Sequence, residues 1–211
     1  MAVSALAASY LARKNAKRLL IVGAARVASL LCEAYLAVRD ISTVRVWNPT
    51  TSEAQALAAK PKSLRVDAQV AGSLESEVRA ADIMTCATLS TAPLVHGAWL
   101  RPGTHVDLIG GFTPGMRESD DAVFANATMA VDSMDALVEA GDLISPIERG
   151  VLVPGTIRTL RAICDGTAPG RISDNEITVF KAVGTALSDL TAAALVYRAA
   201  VREESAESVM S

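Results

Sequence analysis

The 211-residue chain is 51% hydrophobic and 20% charged, enough apolar material for a packed core and too little polarity for disorder. A net charge of -3 gives no basic face for a phosphate backbone, which excludes nucleic acid as a first expectation. No apolar run reaches the ~18 residues that cross a bilayer, so no membrane partner is expected either.

The opening segment MAVSALAASYLARKNAKR is alanine-rich, basic and free of acids, as targeting peptides are. It lacks a long apolar stretch and runs directly into a strand, so it reads as a helix over Ala2–Arg13 of a cytoplasmic protein. Leu6, Tyr10 and Leu11 stand at helical spacing there. Leu19–Gly23 (LLIVG) is a short apolar run of the kind buried on both faces of a parallel sheet. A helix over Ala25–Val38 is expected next, with Val27, Leu30, Leu31 and Tyr35 on its inner face. Thr43–Trp47 reads as the second strand, and Ser52–Lys60 as a helix with Ser52 and Gln55 as its capping box. Leu64–Val70 is a weaker strand and Ser73–Ala80 a short helix. Further strands are expected at Asp82–Ala87, Thr104–Gly110 and Thr128–Asp132. Two short helices follow at Ala136–Ala140 and Leu143–Arg149, then a loop region to Arg171. Asp174–Glu203 reads as one long helix broken near Gly184.

Strands alternating with helices at this spacing predict an α/β fold, a Rossmann-type doubly wound parallel sheet. Aromatic residues at 4% suit such close packing of helices on a sheet. Cys32, Cys86 and Cys164 have no metal-ligand spacing and read as reduced thiols.

The first strand ends in Gly23-Ala24-Ala25-Arg26-Val27-Ala28, where dinucleotide folds place G-x-G-x-x-G/A. The first glycine allows the tight turn, and the following helix offers free N–H groups to a pyrophosphate. Ala25 replaces the middle glycine and puts a Cβ where phosphates come closest to the backbone. At the end of the second strand, Trp47-Asn48-Pro49-Thr50-Thr51-Ser52 has no acid to take a ribose 2′-OH. Asn48, Thr50, Thr51 and Ser52 can donate hydrogen bonds, and Arg26 supplies a charge, so NADP(H) is expected over NAD(H). Ala87-Thr88-Leu89-Ser90 and Gly110-Gly111-Phe112-Thr113-Pro114 end the next two long strands, where ligands of such sheets sit. Their small residues would let a nicotinamide ring lie close to the backbone. His96 and His105 have no Ser or Cys partner and read as structural. Arg117-Glu118 and Asp120-Asp121 fit the start of a helix.

ADIMTCATLSTAPLVHGAWLRPGTHVDLIGGFTPGMRESDD (Ala81–Asp121), EAGDLISPIERG (Glu139–Gly150) and APGRISDNEITVFKAVGTALSDLTAAALVY (Ala168–Tyr197) together resemble the ornithine cyclodeaminase/mu-crystallin family over nearly the whole chain. Within it, the GGFTPGMRE block is similar to the reductases of cyclic ketimines. The resemblance implies hydride transfer from NAD(P)H to the C=N carbon of Δ1-pyrroline-2-carboxylate or Δ1-piperideine-2-carboxylate, giving L-proline or L-pipecolate. Cyclodeaminases and related amino-acid dehydrogenases carry a catalytic acid where this chain has Phe112, which argues against those activities.

Carried over by resemblance, Gly23, Ala25, Arg26 and Val27 fall at the phosphates, and Asn48 and Thr50 at the adenosine ribose. Thr88, Leu89 and Ser90 flank the cofactor, Gly110, Phe112 and Thr113 lie near the nicotinamide, and Val183 and Gly184 close over it. Pro49 replaces an arginine common in the family, so the NADP clamp is weakened. The resemblance also implies an N-terminal segment, missing here, that carries the substrate-gripping lysine and arginine and much of a homodimer interface. Residues 1–16 would then link to that incomplete second domain, 17–165 form the dinucleotide domain, and 166–211 return as a helical segment. A non-catalytic relative that binds dinucleotide, or nothing, is the alternative.

Overall fold

The computed structural model describes residues 1–60 and 66–210. Eight strands form one sheet: β1 (Arg18–Val22), β2 (Thr43–Trp47), β3 (Asp67–Val70), β4 (Ile83–Cys86), β5 (His105–Leu108), β6 (Thr128–Val131), β7 (Arg158–Thr159) and β8 (Thr178–Lys181). Their order is β3-β2-β1-β4-β5-β8-β6-β7, and every pairing is parallel. The expected Rossmann-type α/β fold is therefore present. The chain winds outward from β1 to β3, then returns to β1's other side with β4. That reversal opens a crevice at the carboxyl ends of β1 and β4, the place where such sheets bind ligands.

The helices are α1 (Ala2–Leu11), α2 (Leu31–Leu36), α3 (Thr51–Ala59), α4 (Leu74–Ala80), α5 (Ala136–Glu139), α6 (Gly141–Glu148), α7 (Leu160–Cys164) and α8 (Ala186–Met210). Two cores sandwich the sheet. Leu19, Ile21, Val44 and Val46 point to the side covered by Leu31 and Tyr35 of α2 and Leu57 of α3. Leu20, Val22, Met84 and Leu108 point to the other side, under Val78 of α4 and Leu143 of α6. Because both faces of β1 are covered, its sequence is a continuous apolar run rather than an alternating one.

The N-terminal end of the sheet is held by polar side chains that satisfy backbone groups. Asp82 accepts hydrogen bonds from the Lys17 and Arg18 amides at 2.8 and 3.0 Å and pairs with Arg13 and Arg101. Arg39 Nη2 donates to the carbonyls of Ala8, Ser9 and Ala12, and Arg171 Nε donates to that of Leu11 at 2.6 Å. These guanidinium groups satisfy carbonyls at the end of α1, of which Ala8 also accepts from the Ala12 amide at 2.9 Å.

Several expectations are corrected. The helix expected from Asp174 begins only at Ala186; Thr178–Lys181 is instead the strand β8, inserted between β5 and β6. Its neighbours bury both its faces, which overrides the helical spacing of the surrounding apolar residues. The region before Arg171 contains β7 and α7, whose start Thr159 caps by accepting from the Ala162 amide at 3.2 Å. In α1 the buried side is Ala5, Ala7, Ala8 and Leu11, while Leu6 and Tyr10 are exposed. Small alanines let this helix lie close against the sheet. The helix expected from Ala25 starts at Leu31, after a single 3-10 turn at Ala28–Leu30, leaving Val27 and Leu30 exposed and Leu31 and Tyr35 buried. α3 begins after Thr50 with no side-chain cap, so the capping box expected of Ser52 and Gln55 does not start this helix. Residues 64 and 65 of the weaker strand lie outside the described residues. None of the described helices is long and apolar enough to cross a membrane.

Candidate functional site

A cleft of about 430 Å³ lies at the switch point and is lined from the ends of β1, β2, β4 and β5. Gly23 turns the chain out of β1 with φ of +103°, its amide donating to the Trp47 carbonyl at 2.8 Å. A Cβ on it would lie 2.5 Å from the Ala87 carbonyl oxygen, so glycine is required where the two strand ends pass. The amides of Ala24, Ala25 and Arg26 donate no hydrogen bond among the described residues. They are the free donors on this side, in place of the helix N-terminus expected there. Gly23, Ala25 and Val27 line the cleft, whereas the exposed Arg26 does not.

On the β2 side the cleft is lined by Asn48, Pro49 and Glu53. Asn48 Nδ2 donates to Glu53 Oε2 at 2.7 Å and to the Thr50 carbonyl at 3.2 Å. Thr50 serves as the residue before α3 and stays outside the lining. Glu53 was missed because it lies one residue past the Trp47–Ser52 stretch. The first turn of α3 swings its carboxylate back toward the strand end.

Thr88, Leu89, Ser90, Gly110 and Phe112 form the far wall, with Phe112 45% exposed and available to a ligand. Thr113 is not in the lining; its carbonyl accepts from the Met116 and Gly141 amides, each at 3.1 Å. Val183 and Gly184 are not in the lining either. Their amides donate to the Asp132 carboxylate at 3.1 and 2.7 Å, which fixes the turn after β8. No Lys, Arg or His among the described residues lines the cleft.

Behind the far wall lies a charged cluster that sequence reasoning did not find. Glu118, Asp142 and Lys181 are all fully buried. Glu118 Oε1 accepts from the Thr88 amide at 2.6 Å and from its hydroxyl at 2.8 Å. Lys181 donates to the Gly110 carbonyl and pairs with Asp142 at 3.3 Å. Asp142 in turn accepts from the Glu118 and Ser119 amides at 2.9 and 3.1 Å. A Cβ on Gly110 would collide with the Thr88 carbonyl and the Glu118 carboxyl, and one on Gly111 with Asp142. The glycine pair thus lets two carboxyl groups press against the backbone of the turn from beneath. Burial, the largest influence, pushes the Glu118 carboxyl up to about 7, against the pull of Lys181. One signal was available: a lysine within Thr178-Val-Phe-Lys-Ala-Val183 is costly in a buried element unless paired.

The remaining polar candidates are structural. Arg117 pairs with Asp121 at 2.7 Å and donates to Ser145 at 3.1 Å. His105 is buried against Thr178 Oγ1 at 2.9 Å, and burial holds its imidazole down to about 3. His96 contacts Asp120 at 2.9 Å beside Trp99.

A parallel sheet whose switch-point cleft is walled by a glycine turn with free amides defines a Rossmann-type α/β protein. Residues 1–204 match the model of the ornithine cyclodeaminase/mu-crystallin family, and the chain belongs to that family. It is 43% identical over 200 residues to the Δ1-pyrroline-2-carboxylate reductase of Paracoccus denitrificans, covering 92% of this chain and 63% of the relative. An uncharacterised Schizosaccharomyces pombe protein is 41% identical over 207 residues, covering 93% of this chain and 63% of its own length. The structure of Thermococcus litoralis Δ1-pyrroline-2-carboxylate reductase in complex with NADH and L-proline superposes with a TM-score of 0.92 at 32% identity, over 96% of this chain and 65% of that one. The chain thus spans just under two thirds of the length of these relatives.

Proposed function

We propose that this chain is the dinucleotide-binding part of an NADH-dependent reductase of cyclic ketimines, with Δ1-pyrroline-2-carboxylate or Δ1-piperideine-2-carboxylate as substrate. The observation that carries the reading is the far wall, where Thr88, Gly110 and Phe112 stand together at the ends of β4 and β5. Phe112 puts an apolar ring where the family's deaminating enzymes are expected to carry an acid, which favours imine reduction. The relatives named as Δ1-pyrroline-2-carboxylate reductases support the same substrate class.

The bound dinucleotide would supply a hydride to the imine carbon. The chain's own part is placement. The Ala24, Ala25 and Arg26 amides would hold phosphate oxygens, and the Gly23 and Gly110 turns leave room for the ligand along the strand ends. Leu89 and Phe112 would cover the ring and exclude water. An imino-acid carboxylate meets no cationic side chain in this wall, so its clamp must come from elsewhere in the full site.

The absence of an acid in Trp47–Ser52 pointed to NADP(H). Glu53 now weighs the other way. Its carboxylate, held by Asn48 at 2.7 Å, can accept from a ribose 2′-OH and repels a 2′-phosphate. NAD(H) is accordingly the cofactor proposed.

A homodimer is proposed with it. Leu187, Leu190, Val196 and Tyr197 of α8 and Leu6 of α1 are exposed apolar residues of the kind that subunit contacts cover. Light scattering on purified protein would count the subunits. The decisive assay follows NADH oxidation with each cyclic imino acid, using this chain and a version extended to the length of its relatives. Turnover by either supports the reading; NADH binding without turnover by either leaves a non-catalytic relative.

A further inference from the structure

Glu118 is held behind the cleft by its contacts with two lining residues, Thr88 and Gly110. Glu118 itself is not in the lining, and its carboxyl group bonds to Thr88, which is. Three side chains with charge or a titrating proton surround Glu118 on its loop after β5: Cys86 on β4, Asp142 on α6 and Lys181 on β8. Lys181 pairs with Asp142 at 3.3 Å, and Asp142 is further occupied by backbone amides. The buried Cys86 thiol is pushed well up by burial and stays neutral. One cation, Lys181, therefore serves two carboxyls. The second oxygen of Glu118, Oε2, is buried with no hydrogen-bond partner.

Resting on the dinucleotide reading above, we propose that Glu118 couples proton binding by the protein to the redox state of the bound nicotinamide, favouring the oxidised ring when ionised and the reduced ring when protonated. The oxidised ring carries a positive charge and the reduced ring none. A carboxylate one residue behind the wall attracts the first and is indifferent to the second, and a protein interior screens that attraction far less than water does. Burial brings the carboxyl up to about 7, so both of its forms are populated near neutral pH. Linkage then requires the reverse effect: binding of the oxidised ring expels the Glu118 proton, and binding of the reduced ring does not. Glu118 acts here as a positioning residue, reaching the ligand through the turns that it holds.

Two measurements on the full chain test this. The first is calorimetric titration with NAD⁺ and with NADH near neutrality, in two buffers of different ionisation enthalpy. Proton release with NAD⁺ and none with NADH is expected. The second is the ratio of the two dissociation constants between about pH 6 and about pH 8. It should move roughly tenfold toward NAD⁺ as pH rises, within the usual span of coupling between two sites. Glu118→Gln, which keeps an oxygen for Thr88, should hold the ratio at its low-pH value throughout. Equal proton release with both ligands, or a variant whose ratio still follows pH as the parent's does, overturns the proposal and leaves the dinucleotide reading standing. Failure of the parent chain to bind either dinucleotide overturns both.

Discussion

Glu118 receives the amide and the hydroxyl of Thr88 through the same oxygen, at 2.6 and 2.8 Å, and so ties the end of β4 to the loop beyond β5. Thr88→Val keeps the amide bond and the shape but loses the hydroxyl. The expected cost is about 1–2 kcal/mol of stability, because the hydroxyl also accepts from the Ser90 amide at 3.3 Å. Dinucleotide affinity should fall with it, because the same residue lines the cleft. Thermal denaturation and NADH fluorescence titration read the two effects separately, and unchanged affinity would detach Thr88 from the ligand.

Gly23→Ala is expected to be among the most damaging single changes. Its φ of +103° disfavours any side chain, and the added Cβ would meet the Ala87 carbonyl oxygen at 2.5 Å. Strain of this kind costs about 1–3 kcal/mol before the clash is counted. Urea unfolding measures it.

Asp82→Ala tests the far end of the sheet. The carboxylate joins Arg13 and Arg101 to the Lys17 and Arg18 amides, so its loss leaves a part-buried guanidinium and two backbone donors unpaired. A loss of about 3 kcal/mol is expected, at the lower end for broken buried pairs because Arg101 is partly exposed. Dinucleotide affinity in the folded fraction should not move, since Asp82 lies at the opposite ends of the strands.

Glu53→Arg replaces the carboxylate at the proposed adenosine end of the cleft with a cation. A shift of roughly tenfold from NADH toward NADPH is expected, about 1.4 kcal/mol. Paired dissociation constants at fixed salt would show it; a parent chain already preferring NADPH would count against the NAD(H) assignment.

Two buried groups give stability opposite slopes with pH. Glu118 titrates at 4.5 when unfolded and about 7 when folded, so the folded state holds the extra proton between those values. Its contribution is complete below about 4.5 and lost as pH rises through about 7. His105 falls from 6.5 to about 3 on folding, so its contribution is complete above 6.5 and is lost as pH falls toward about 3. The slopes oppose each other between 4.5 and 6.5. Removing Glu118 with glutamine should therefore expose the rising limb due to His105 and relieve about 3 kcal/mol of strain at alkaline pH. Chemical denaturation across that range checks the sign.

The sequence by itself determined the parallel α/β sheet, because a strand covered on both faces is apolar nearly throughout: Leu19–Val22 obeys that rule, and Ile83–Cys86 departs from it only at Thr85, whose hydroxyl donates to Asp107 at 2.7 Å. It also pointed to the strand ends that wall the cleft, which Gly23, Thr88, Gly110 and Phe112 line. Three matters were left to tertiary structure. Whether Thr178–Lys181 is helix or strand depended on the gap between β5 and β6, which no local window contains. The Glu53 carboxylate beside Asn48 depended on how the first turn of α3 folds back. The Glu118–Asp142–Lys181 cluster draws its members from a loop, a helix and a strand as many as 63 residues apart by number, from 118 to 181. Each of these charges is costly in an apolar interior when alone. Only the fold brings them within reach of one another and sets them behind the turns that line the cleft.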